Sequence, residues 1–262
     1  MPCGKKNVLF LPSNQFINKF KAFIAAFSLM KSYKHLFFDL DKTLWDFEKN
    51  AEATFRMLFS EYKITEKCNC TFFDFYKTYQ KHNEQLWDAY RKGDVSKEFL
   101  HINRFSNTLK HFNIQDPVLA VEMADKYIKE TPNQTNLYPN CIETLKLLSK
   151  KEFQLHILTN GFVEVQYRKI ENSGISPYFT KIFTSEELGF QKPNKEIFRK
   201  ALQKANANAE ESIMIGDDLE VDILGARDAG IDQIYVNYNK TPHNQYITHE
   251  INDLKEILTI VC

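Results

Sequence analysis

Two carboxylates, Asp39 and Asp41, follow directly on an aromatic-rich run, Tyr33-Lys34-His35-Leu36-Phe37-Phe38. A short apolar run that ends abruptly in Asp-Leu-Asp has the profile of a buried strand delivering acids to its carboxyl end. There, one carboxylate could attack phosphorus while the other transfers protons. Taken alone, the pair could equally cap a turn or a helix. Leu158-Thr159-Asn160-Gly161-Phe162 is a second candidate, able to offer a hydroxyl and backbone N–H groups to phosphate oxygens, although Thr-Asn-Gly is also a common turn. In Gly189-Phe190-Gln191-Lys192-Pro193, a lysine precedes a proline suited to start a helix. Its ammonium could neutralise a phosphate and a nucleophile, or simply be solvated. Finally, Ile213-Met214-Ile215-Gly216-Asp217-Asp218 continues to Asp222 and gathers the hard oxygen donors that Mg²⁺ requires. An acidic helix N-terminus would have the same composition.

Elements placed by pattern bring these clusters together. Strands are expected at Tyr33–Phe38, Gln154–Leu158, Lys181–Phe183, Ser212–Ile215 and Gln233–Val236. Helices are expected between them, through Leu148, up to Ser173 and over Asn194–Ala205. Strands alternating with helices predict an α/β fold with a doubly wound parallel sheet. In such sheets, ligands bind at the carboxyl ends of the strands, where all four clusters fall. Helices expected at about 47–63, 71–91 and 96–112 and at Pro117–Glu130, with Asp46 capping the first and Lys92-Gly93-Asp94 breaking the second from the third, read as an inserted all-helical cap. The expected organisation is an extension at 1–31, an α/β core at 32–46 and 136–262, and a cap at 47–135.

Together the four clusters supply a nucleophile, a proton carrier, phosphate donors, a cation and metal ligands. In this order, DxDxT at Asp39 to Thr43, Thr159, Lys192 before proline, and GDxxxxD ending at Asp222, they resemble the haloacid dehalogenase superfamily over about residues 33–240. The resemblance implies that Asp39 attacks phosphorus and becomes an aspartyl phosphate. Asp41 would protonate the leaving alcohol and then deprotonate the hydrolytic water. It further implies Mg²⁺ held by the Asp39 carboxylate, the Asp41 carbonyl, Asp217 and Asp222. Thr159 and the Asn160 N–H would hold phosphate oxygens, and Lys192 would stabilise Asp39 and the transferring group. The additional Asp218 is assigned a supporting or structural role.

The helical insertion resembles the family's cap, which selects the leaving group. Its segment Tyr79 to Gly93 with Arg104, together with Thr43 to Phe47 and Leu158 to Phe162, is similar to pyrimidine nucleotidases of the YjjG type. That likeness implies a nucleoside 5′-monophosphate as substrate, with Trp87 and Arg104 stacking on a base or holding a sugar hydroxyl. Trp87 and Tyr90 could instead be cap core. Phosphoglycolate phosphatases, sugar phosphatases and phosphosugar mutases share every core motif. A haloacid dehalogenase needs neither Asp41 nor the Asp217/Asp222 pair, and a noncatalytic relative would not need every catalytic position filled.

With 34 basic and 34 acidic residues, the net charge is zero, which predicts no global attraction to nucleic acid. No apolar run reaches membrane-spanning length, and Ala25-Ala26-Phe27-Ser28 is a poor cleavage site, so a cytoplasmic protein is expected. The stretch before Ser32 is either a tail or lies upstream of a true start at Met30. Five scattered cysteines, Cys3, Cys68, Cys70, Cys141 and Cys262, suggest reduced thiols, with Cys68-Asn69-Cys70 in an exposed loop. The composition is compatible with either a monomer or a homodimer.

Overall fold

The structure, a computed structural model, describes residues 32–262. The expectation for residues 1–31 therefore lies outside the described residues, as does Cys3. Six strands form one parallel sheet in the order β3-β2-β1-β4-β5-β6. They are β1 (His35–Phe38), β2 (Gln154–Thr159), β3 (Lys181–Thr184), β4 (Ser212–Gly216), β5 (Asp232–Val236) and β6 (His249–Ile251). β6 was not anticipated. Its three residues include one apolar side chain, and among the described residues it pairs with β5 alone, so no apolar run marks it.

The register decides where the polar clusters meet. Phe38 pairs with Ile157 on one side and Ile215 on the other, so at this end of the sheet β4 runs one residue and β2 two residues beyond β1. Asp39 continues that ladder, its N–H donating to the Ile215 carbonyl. The central strands are buried on both faces, as their apolar composition requires.

Between β1 and β2 the chain forms α1 (Phe47–Glu61), α2 (Phe72–Lys92), α3 (Lys97–His111) and α4 (Pro117–Glu130), together with a short turn of helix at Ile64–Lys67. Local chemistry sets their ends. Asp46 accepts from the Lys49 N–H, Thr71 and Asp74 form a reciprocal capping box, and Asp116 caps α4 ahead of Pro117. Gly93, at φ +79°, ends α2 in the left-handed conformation that glycine adopts without steric cost. These helices bury an aromatic cluster of their own around the fully buried Phe55, whose ring lies parallel to that of Phe105 and against Tyr79 and Tyr127. The entry and exit of this helical layer are stitched together. The Asn50 amide donates to the Asn136 carbonyl at 2.8 Å, the Asn136 amide donates back to the Asn50 side chain at 2.6 Å, and the Trp45 indole donates to Gln134.

The cysteines depart in part from expectation. Cys68 and Cys70 are joined as a disulfide, whereas Cys141 and Cys262 are free. A bend that returns the chain on itself two residues later brings two sulfurs together whatever the rest of the composition suggests. Among the described residues, no helix is long and apolar enough to cross a membrane.

Candidate active site

Beyond β1 the chain makes a tight turn. Lys42 takes a left-handed φ of +66°, and the N–H groups of Leu44 and Trp45 both donate to the Leu40 carbonyl. This turn sets Asp39 and Asp41 at the strand end and buries Thr43, whose hydroxyl donates to Asp217 at 3.1 Å.

Lys192 joins three elements. Its ammonium lies 2.7 Å from a carboxylate oxygen of Asp39 and 2.7 Å from one of Asp222, and it donates to the Leu158 carbonyl at 2.7 Å. Only 1% of its surface is exposed, so this is a buried cation held by paired charges rather than a solvated lysine. Asn160 fixes the lysine's backbone from both sides. Its amide donates to the Lys192 carbonyl, and its side-chain oxygen accepts from the Lys192 N–H, both at 2.8 Å. The Asn160 side chain is thus a pin between the β2 loop and the lysine loop.

The carboxylates of Asp39, Asp217 and Asp222 each bring an oxygen within 4.8 Å of the others. Gly216 makes this possible, because a Cβ there would stand 2.3 Å from an Asp222 oxygen. Burial raises the Asp39 carboxyl to about 7 against the pull of Lys192, with Asp222 and Asp41 adding to the rise. Burial also pushes Asp217 well above the usual carboxylate range, reinforced by the charges of Asp39 and Asp222, and it raises Asp222. Burial alone would lower Lys192, but the charges of Asp222 and Asp39 overcome it and hold the ammonium above its ordinary range. Three crowded acids facing one ammonium form a hard-oxygen site short of positive charge, and a divalent cation fits that donor set.

Asp218 accepts from the N–H groups of Glu220 and Val221 and so caps the helical turn Leu219–Leu224 that carries Asp222. The Thr159 hydroxyl closes the end of β2 by accepting from the Gly161 N–H at 3.1 Å.

Two contributors were not singled out by the sequence reading. From α6 (Val163–Asn172), which follows α5 (Cys141–Ser149) and β2, Lys169 meets Asp41 Oδ1 at 2.6 Å and the Gln166 amide donates to Asp41 Oδ2 at 2.8 Å. The available signal was a lysine and a glutamine standing on the same helix stripe as the buried Ile170.

Arg104 and Trp87 take different places. Arg104, 4% exposed, reaches Asn83 and the His101 carbonyl and lies over the Tyr127 ring at 5.0 Å. Burial raises the Tyr127 phenol, opposed by the Arg104 charge beside it. Trp87 instead lies against Phe162, just after the Thr159–Gly161 loop.

A family model of haloacid dehalogenase-like hydrolases matches residues 33–230. The chain belongs to that family. The family's Bacillus subtilis member YfnB is 32% identical over 88% of this chain and 97% of its own, and its crystal structure with magnesium superposes with a TM-score of 0.77. Pyrimidine 5′-nucleotidase PynA of Streptococcus pneumoniae is 31% identical over 86% of this chain and 94% of its own length. Pyrimidine 5′-nucleotidase YjjG of Escherichia coli is 29% identical over 87% and 97%. The chain is accordingly a hydrolase on the family's α/β fold.

Proposed function

We propose that the chain is a Mg²⁺-dependent phosphomonoesterase that works through an aspartyl phosphate on Asp39 and acts on nucleoside 5′-monophosphates, in the cytoplasm. The observation that carries this reading is the buried Lys192, hydrogen-bonded to Asp39 and to the Leu158 carbonyl at the end of β2 and ion-paired with Asp222. That bond fixes the Asp39 carboxylate in one orientation and sets a positive charge where a phosphoryl group would collect negative charge.

In the first half-reaction, Asp39 attacks phosphorus as the bond to the leaving oxygen breaks, and Asp41 gives that oxygen its proton. In the second, Asp41 removes a proton from water as the water attacks phosphorus, releasing phosphate and restoring Asp39. Thr159 and the Asn160 N–H are assigned to the phosphate oxygens. The carboxylates of Asp39, Asp217 and Asp222 with the Asp41 carbonyl would hold Mg²⁺, which when bound offsets the charge of the acids and the phosphate.

Arg104 is assigned to the leaving group. Among the described residues it is in ion-pair contact with no carboxylate, so its charge is available to a base carbonyl or a sugar oxygen. Trp87 is assigned to holding the helical layer on the core, since Phe162 stacks on it. Two relatives named pyrimidine 5′-nucleotidases and one crystallised with magnesium support substrate and metal.

The test is a panel of pyrimidine and purine nucleoside monophosphates, sugar phosphates and phosphoglycolate with Mg²⁺, run beside Asp39→Asn. Pyrimidine nucleotides are expected to be the best substrates, with turnover abolished by EDTA and by the substitution. A sugar phosphate or phosphoglycolate turned over faster would overturn the substrate assignment, and activity without divalent metal would overturn the metal.

A further inference from the structure

Asp41 is held by two residues that no motif of the reaction includes. Lys169 Nζ lies 2.6 Å from its Oδ1, and the Gln166 amide donates to its Oδ2 at 2.8 Å. The two holders are three residues apart on α6, so they face the same way from successive turns of one helix. Both are almost fully buried, at 3% and 2% exposure, while a quarter of the Asp41 side chain, 26%, stays open. We propose that Lys169, with Gln166, is a positioning residue for the acid/base step: it locks the Asp41 carboxylate with its open side toward the leaving oxygen.

Three observations support the lock. A carboxylate gripped by a separate donor on each oxygen cannot turn about its Cβ–Cγ bond without breaking both bonds, yet each oxygen keeps a second lone pair for a leaving group or a water. Lys169 is itself fixed, its ammonium 4.1 Å from the Trp45 ring centre and 5.6 Å from that of Phe47, and among the described residues Asp41 is the one carboxylate it pairs with. Gln166 also ties the grip to the phosphate loop, since a Cβ on Gly161 would fall 1.7 Å from its amide nitrogen. The loop that ends β2, the helix that follows and the acid/base residue therefore form one packed unit. Misplacing a proton donor by a small distance is enough to lose most of its effect.

The proposal rests on the reading of Asp41 as acid/base, and the test separates the two. The measurement is kcat/KM, which reports only the steps through loss of the leaving group, for substituted phenyl phosphates from phenyl to 2,4-dinitrophenyl. The variants are Lys169→Met, Lys169→Arg and Asp41→Asn. Dinitrophenolate leaves without a proton, whereas phenolate needs one. Asp41→Asn is expected to lower kcat/KM on phenyl phosphate by about 100-fold or more and on the dinitrophenyl ester by less than about 5-fold. Lys169→Met should reproduce that split, and Lys169→Arg should recover most of the loss on phenyl phosphate. Retained release of dinitrophenolate, read from the pre-steady-state burst where breakdown of the phosphoenzyme is slow, also shows that the variants fold.

If Asp41→Asn gives the split and Lys169→Met lowers both esters equally or neither, the positioning role is overturned and the acid/base reading stands. If Asp41→Asn itself gives no split, the acid/base reading falls and the positioning role falls with it.

Discussion

The indole of Trp87 is stacked on the ring of Phe162, with centroids 5.2 Å apart and 28° between the planes. Trp87 belongs to α2 of the helical layer, and Phe162 ends the loop that follows β2, so the pair joins the two parts of the molecule directly at the site. Lys97, at the start of α3, strengthens the same contact, reaching Glu186 at 2.8 Å and Glu164 at 3.0 Å and lying 4.5 Å from the Phe162 ring centre. A contact of this kind acts on every substrate alike. Trp87→Ala is therefore expected to lower kcat/KM by about 10-fold on a nucleoside monophosphate and on 4-nitrophenyl phosphate to the same extent. Steady-state kinetics on both substrates checks this, and a loss confined to the nucleotide would assign Trp87 to the base instead.

Arg104 should behave in the opposite way. Its charge lies over Tyr127 within the helical layer and pairs with none of the strand-end acids. Arg104→Met is expected to reduce kcat/KM on the nucleotide by about 10- to 100-fold while changing 4-nitrophenyl phosphate by less than about 3-fold, the scale of one charge-assisted hydrogen bond. Equal losses on the two substrates would mark Arg104 as packing.

The three crowded acids make a prediction about stability as well as activity. Burial and mutual repulsion raise Asp217 and Asp39, so at neutral pH the metal-free folded state either buries their charges or takes up protons that the unfolded chain does not bind, and both oppose folding. Asp217→Asn should raise the metal-free melting temperature. Mg²⁺ at about 100 times its Kd should raise that of the unsubstituted chain by about 5 to 10 °C and leave the variant little changed. Differential scanning calorimetry with and without EDTA decides it; a variant stabilised by Mg²⁺ as strongly as the parent would remove Asp217 from the metal site.

His156 supplies a pH dependence away from the site. Burial, with His35 and Lys181 adding, lowers it to about 3, and its Nε2 meets the His35 Nδ1 at 3.1 Å, a contact that requires at least one neutral ring. The folded chain thus rejects a proton that the unfolded chain accepts near pH 6.5. Stability from His156 is present above that pH and is lost as pH falls toward 3. Relative to His156→Gln, the parent should lose on the order of 3 kcal/mol between pH 7 and pH 4, by urea unfolding. Parallel pH profiles would show that His156 titrates normally.

Much of the sheet is legible because β1, β2 and β4 are short apolar runs that stop at Asp, Thr or Gly, and because the helices between them carry their caps in the sequence, as Asp46 does. Asp39, Lys192, Asp217 and Asp222 are legible for the same reason, since each follows or faces a strand end. What lies hidden depends on tertiary partners. Gln166 and Lys169 sit on a helix whose polar residues look solvated until Asp41 is placed beside them. Trp87 reads either as a base-stacking aromatic or as cap core, and its contact with Phe162 stays hidden because nothing local to either residue encodes the other. The disulfide between Cys68 and Cys70 is likewise a matter of chain path rather than of cysteine count.

The nucleophile can be caught directly. Asp41→Asn with 2,4-dinitrophenyl phosphate should load Asp39, because the leaving group needs no proton, and then stall, because the attacking water has lost its base. Rapid acid quench, borohydride reduction and peptide mass spectrometry should find Asp39 converted to homoserine, with a burst of dinitrophenolate stoichiometric with enzyme. Release of dinitrophenolate and phosphate at equal rates with Asp39 unmodified would mean that water attacks phosphorus directly, and that Asp39 is not the nucleophile.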